Sequence, residues 1–198
     1  MIHRTGRVFG MTITPKQRAA LTDAVRGGTE SLFRRAATAA FLWALVFTAF
    51  HFYWFAGGRF GLGDGPKMIP ETGTTKDLIW AFVITSMFVV GIFLPVALTR
   101  PWGRRIPRWI TVCCLWIGSA LLVVRGGAGL LDTALRETGL ADRGLTGLTY
   151  QQITGDAHPS LNTKVSGICI DAYFILGGLL YGRTVLLHRR LVRGADEG

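Results

Sequence analysis

The chain has 198 residues, of which 49% are hydrophobic and 17% charged, with a net charge of +10 from 22 basic and 12 acidic side chains. Soluble domains carry about 25% charged residues, whereas here the mean hydropathy is +0.36 and the apolar residues fall in long blocks with the charges between them. That arrangement excludes a disordered chain, a disulfide-stapled scaffold and most soluble enzymes, and it predicts an integral membrane protein.

Residues 1–35 carry seven basic and two acidic side chains. Thr14, Pro15 and the run Lys16–Val25 predict either a short helix on the membrane surface or a mobile cytoplasmic tail. The apolar block that follows is too long for the core of a secretory signal, and no A-x-A pattern follows it, so no cleaved leader is expected. A spanning helix needs about 20 mainly apolar residues. Residues 36–58 form the first such block, with His51 its sole ionisable side chain. Residues 78–99 form the second and carry no charge; Pro95 lies near its end. Residues 109–131 form the third and contain Arg125. Residues 165–187 form the fourth and contain Asp171 and Arg183; Arg183 is read as reaching to the headgroups. The longest connection, residues 132–164, is broken by Gly144, Gly147, Gly155 and Pro159. The expected fold is an all-α bundle of four transmembrane helices in one domain, residues 36–187, followed by a cytoplasmic tail at 188–198.

Charge gives the orientation. Residues 1–35, the second loop and the segment from Arg183 onward carry +5, +4 and +2, or +11, while the remaining loops and flanks sum to −1. Lys and Arg concentrate on the cytoplasmic side, so both termini are expected inside and loops one and three outside, in the cytoplasmic (inner) membrane of a bacterium. The excess positive charge then matches anionic lipid headgroups. No basic stripe with stacking aromatics points to nucleic acid. Trp54, Trp80, Trp102 and Trp109 near the span ends fit an aromatic belt.

No cofactor or metal is expected. Cys113, Cys114 and Cys169 lack a C-x-x-C spacing and read as small buried hydrophobes. A bis-histidine haem needs two histidines in the bilayer; His51 lies there, whereas His158 is in loop three and His3 and His188 are cytoplasmic. Gly61, Gly63 and Gly65 before Lys67 lack the phosphate-loop spacing. No zinc signature and no nucleophile-elbow motif is present.

Charges within a bilayer usually face the bundle interior and have a partner. The topology puts His51, Arg125 and Asp171 all in the outer half, with Arg59 at the mouth. Helical phase places each on a face of small residues: Ala37, Ala40, Ala44 and Gly58 with His51; Cys114, Gly118 and Asp132 with Arg125; Gly178 and Gly182 with Asp171. Small residues mark helix contacts in membranes. The expectation is a polar pocket opening outward, built from His51, Arg125 and Asp171, with Asp132, Tyr53, Trp54, Arg59 and Tyr173 near its rim. Arg125 and Asp171 form the natural ion pair, Asp132 being the competing partner. The alternative is an ion pair that only fixes helix register, with His51 a hydrogen-bonded core residue.

One stretch is more specific. His51-Phe52-Tyr53-Trp54-Phe55-Ala56-Gly57-Gly58-Arg59-Phe60-Gly61-Leu62 resembles the H-x-Y-W-x-x-G-G-x-x-G-L signature of the DUF3995 family of small bacterial membrane proteins. Arg125-Gly126-Gly127 resembles that family's R-G segment. Asp171-Ala172-Tyr173 resembles its entry to the last span, with Tyr two residues after Asp and no Pro-Leu following. The resemblance runs over about residues 36–187 and implies four spans in one domain; the family has no assigned function, so it implies no activity. Two functional classes follow from the residues. The first is a binding or accessory protein for a lipid-like ligand or membrane partner, in which a second copy of the chain is one option. The second is an enzyme at the outer leaflet, with His51 as acid or base and Arg59 or Arg125 holding an anionic group.

Overall fold

The computed structural model describes residues 14–67 and 74–196. It is built of helices: α1 (Pro15–Phe55), α2 (Thr75–Ala97), a 3-10 turn (Pro101–Arg105), α3 (Arg108–Glu137), the short α4 (Tyr150–Thr154) and α5 (Leu161–Asp196). Four of them, α1, α2, α3 and α5, are long and apolar enough to cross a membrane.

Local sequence sets the helix ends. Thr14 caps α1 in a reciprocal box with Gln17, and Pro15 takes the first turn, where its missing N–H costs nothing. The helix then runs unbroken for 41 residues, about 60 Å at 1.5 Å per residue. Residues 15–35 are therefore helical and continuous with the first span; residues 1–13 lie outside the described residues. Thr74 and Asp77 make the same box at the start of α2. α3 continues to Glu137 and α5 to Asp196, both beyond the apolar blocks that nucleate them.

α5 lies between α1 and α3, its most extensive interface being with α3; α2 leans on α1 and touches α3 more lightly. The core is Ala40, Trp43, Ala44, Ile92, Leu115, Tyr181 and Val185. Trp43 and Tyr173 lock α1 to α5 reciprocally: the indole Nε1 donates to the Tyr173 carbonyl and the phenol donates to the Trp43 carbonyl, each at 2.9 Å. Gly177 makes room for that indole, since a Cβ there would meet Trp43 at 2.2 Å. Tyr181 reaches α2 by donating to the Gly91 carbonyl at 2.8 Å.

Small residues bring α3 and α5 together. A Cβ on Gly126 would fall 2.3 Å from the Asp171 carbonyl oxygen, and one on Gly178 2.6 Å from Val123. Ser119 donates to the Gly178 carbonyl at 2.7 Å, and Gly182 abuts the same serine. Gly118 packs against Tyr181, while Ala40 and Ala44 are fully enclosed. The outward faces are apolar: Trp80, Phe82, Met87, Val90 and Phe93 are all exposed on α2. Cys113 and Cys169 also face outward, not inward as their residue type suggests, and all three cysteines are free.

Candidate functional site

One end of the bundle gathers the end of α1, loop one, the start of α2, the end of α3, loop three and the start of α5. The signature stretch 51–62 explains much of its shape. Gly57, at φ 91°, takes the left-handed conformation that ends a helix, and the N–H groups of Gly57 and Gly58 close onto the carbonyls of Trp54 and Tyr53. The Tyr53 ring lies over Gly58, where a Cβ would meet it at 2.2 Å. The Trp54 indole donates to the Phe60 carbonyl at 2.9 Å, and Leu62 is buried beneath. Most of the signature thus stops α1 and folds the chain back. Arg59 sits on this turn with its side chain exposed.

Loop one is tied to loop three. Asp64 accepts hydrogen bonds from the Ser160 and Thr163 hydroxyls at the start of α5. These two hydroxyls hold its carboxyl below the ordinary carboxylate value. The Lys67 N–H donates to the Thr154 carbonyl at 3.0 Å. Together the two loops form a cap.

Arg136 organises that cap. Its side chain is 2% exposed. Nε donates to Asp132 Oδ2 at 2.8 Å, Nη1 to the Leu148 carbonyl at 2.6 Å, and Nη2 to the Arg143 carbonyl and the Thr146 hydroxyl, each at 3.0 Å. Asp132 in turn accepts from the backbone N–H groups of Leu145 and Thr146. A guanidinium donates five N–H bonds in a fixed fork, and here the fork pins one loop from inside. Nearby, Lys164 pairs with Glu137 at 2.8 Å, and Tyr150 donates to Glu137 at 2.7 Å. Burial, reinforced by that carboxylate, pushes the Tyr150 phenol up to about 12.

Between α3, α5 and loop three lies a cleft of about 380 Å³. Arg125 and Asp171 stand at one edge, joined at 2.7 Å; the arginine side chain is 58% exposed and the aspartate 9%. Arg125 also lies over the Phe174 ring, 5.2 Å from its centroid. Gly129 seats the carboxylate, since a Cβ there would fall 2.1 Å from Asp171 Oδ2. Asp132, Arg136, Tyr150 and Lys164 line the opposite part, and Ala128, Leu145 and Ile153 supply apolar wall. Each charged group in the cleft has an opposite partner.

The eight pocket residues expected from sequence divide among several places. Arg125, Asp171 and Asp132 share the cleft, but Asp132 is partnered by Arg136, not by Arg125. His51 and Trp54 line a separate groove of about 250 Å³ against α2, with Asp77 and Trp80. His51 stacks among Phe47, Phe88 and Trp54, and its Nδ1 lies 3.3 Å from the Phe47 carbonyl. Tyr53 lies on the outer surface with Phe50 and Phe60, and Tyr173 belongs to the core beside Trp43. Arg125 rides the edge of the α3–α5 contact, the packing face itself being Gly126 and Gly129. Sequence reasoning missed Arg136, Tyr150, Lys164 and Asp64; the available signal was Asp132 and Arg136 four residues apart, which share a helix face if α3 continues past its apolar block.

The family described as "Protein of unknown function (DUF3995)" matches residues 44–150. The chain belongs to this family. The match takes in the signature stretch, Arg125-Gly126-Gly127 and the Asp132–Arg136 pair; Asp171 and Tyr173 lie beyond it. No curated protein and no solved structure matches the chain.

Proposed function

We propose that this DUF3995 protein crosses the bacterial cytoplasmic membrane four times, with both termini inside. Loops one and three then form an outer cap. The uneven charge supports this orientation: the two termini and the second loop carry +11, the cap end −1. Exposed apolar faces on the long helices, α2 above all, are surfaces for lipid, a second copy or a partner helix.

We infer that the protein is a binding or accessory protein, and that a lipid-like amphiphile occupies the α3–α5 cleft. The observation that carries this reading is the cleft's composition: apolar wall from Ala128, Leu145 and Ile153 beside fully paired charges, with an exposed Arg125 guanidinium at its edge. Paired charges favour a ligand with a polar head and no large net charge, because a strongly charged head would have to break an existing pair. The enzymatic reading, with His51 as acid or base, draws less support, because His51 and Arg125 line different clefts.

The test is native mass spectrometry of protein purified in mild detergent. An amphiphile adduct is expected on the wild type, and Thr133→Trp, which fills the cleft, together with Arg125→Gln should remove it. No adduct, or one that survives both substitutions, would overturn the reading.

A further inference from the structure

The opposite end of the bundle holds a second polar cavity, of about 200 Å³, formed where the end of α2, the 3-10 turn, the start of α3 and the end of α5 meet. Arg100, Arg104 and Arg108 line it, with His188 from α5 and the buried Thr111 hydroxyl. The connecting segment, residues 98–107, contains no acidic residue. Among the described residues none of these arginines is in an ion pair; the four pairs present use Arg34, Arg125, Arg136 and Lys164. The contrast with the α3–α5 cleft is complete, since there every charge is matched.

The cavity is a formed feature of the chain. Gly103 is buried so tightly that a Cβ would fall 1.8 Å from the Ala97 carbonyl oxygen. The Arg100 N–H donates back to the Val96 carbonyl at 3.0 Å and the Gly103 N–H to the Arg100 carbonyl at 3.1 Å, which fixes the turn that presents the arginines. The first turn of α3 adjoins the cavity and has no side-chain cap. The N–H groups of an uncapped first turn favour an anion. Trp102 and Trp109 are exposed on either side. Exposed tryptophans at span ends sit at headgroup depth.

We propose that this cavity is a phosphate-binding site occupied by the headgroup of an anionic phospholipid, one per chain. Three arginines, an uncapped helix start and no acid select a phosphate; the flanking tryptophans place that phosphate at the depth of a bilayer headgroup. Basic pockets between helices on the cytoplasmic side bind such headgroups.

The experiment is native mass spectrometry of delipidated protein titrated with phosphatidylglycerol, phosphatidylcholine or inorganic phosphate alone. One phosphatidylglycerol should bind in preference to phosphatidylcholine. Arg104→Gln and Arg108→Gln should each weaken it about fivefold, the amount expected for one basic contact near a lipid surface, and the double variant more. Arg18→Gln with Arg26→Gln removes the same charge from the distant, exposed part of α1 and should leave the single adduct intact. Both variant sets replace exposed side chains, and unchanged far-ultraviolet circular dichroism verifies their fold. Equal loss in the α1 control, or equal binding of phosphatidylcholine, would overturn the proposal. Binding of inorganic phosphate through Arg104 and Arg108 without any preference among lipids would overturn the lipid source.

Discussion

Removing Arg136 should release loop three while leaving the four long helices in place. The side chain is almost fully enclosed and donates to Asp132, Thr146 and the carbonyls of Leu148 and Arg143. Arg136→Met keeps the apolar stem and deletes the fork, so Asp132 keeps its charge and loses its cation. Breaking a buried ion pair by deleting one partner costs about 3–5 kcal/mol, because the remaining charge is left uncompensated. At 1.36 kcal/mol per factor of ten, 3 kcal/mol is a change of more than about a hundredfold in the opening equilibrium. Hydrogen–deuterium exchange resolved to peptides reads this directly: protected amides in residues 139–155 should exchange faster by that factor, with α1 and α2 unchanged. Arg34→Met breaks an exposed pair with Glu30 and should cost no more than about 1 kcal/mol. Equal exchange in Arg136→Met and wild type would refute the claim that this arginine holds the cap.

Three further outcomes follow from the same geometry. Gly126→Ala pushes a Cβ into the Asp171 backbone and should destabilise by about 1–3 kcal/mol. Gly127→Ala, with nothing within 4 Å, should be neutral or gain up to about 1 kcal/mol from helix propensity, and thermal unfolding in detergent compares the two. Asp64 is held below its ordinary value of 3.8 by the Ser160 and Thr163 hydroxyls, so its contribution is complete above that value and is lost as pH falls below it. Exchange at the start of α5 should therefore rise below about pH 4 in the wild type, and Asp64→Asn should flatten that dependence. Exchanging Arg125 and Asp171 should restore amphiphile binding that Arg125→Asp and Asp171→Arg each lose; independent defects would separate the pair.

The spans were legible because each is an apolar block of the length a bilayer needs, and such blocks become helices whatever packs against them. The Arg125–Asp171 pairing was legible because opposite charges in one leaflet have few other partners. The neighbours of His51 were not. Helical phase gives the direction of a side chain but not which helix stands there, and α1 packs against both α5 and α2. Arg136 was hidden for a different reason: hydropathy ends the third span near residue 131, while the helix continues to Glu137. That extra turn and a half brings Asp132 and Arg136 under a glycine-rich loop whose carbonyls need donors. The DUF3995 signature looked like a site because of His51 and Arg59, but its tyrosine, tryptophan and glycines are occupied in ending α1.

The most direct test of the central claim is which side of the membrane the α3–α5 cleft opens to. Thr133 lines that cleft, and Thr133→Cys can be made in a chain whose three native cysteines are replaced by serine. Labelling of intact cells with a membrane-impermeant maleimide should modify position 133 without permeabilisation, while Arg100→Cys in the same background should be modified only after it. Labelling of position 100 from outside, with position 133 reached only in permeabilised cells, would contradict the account.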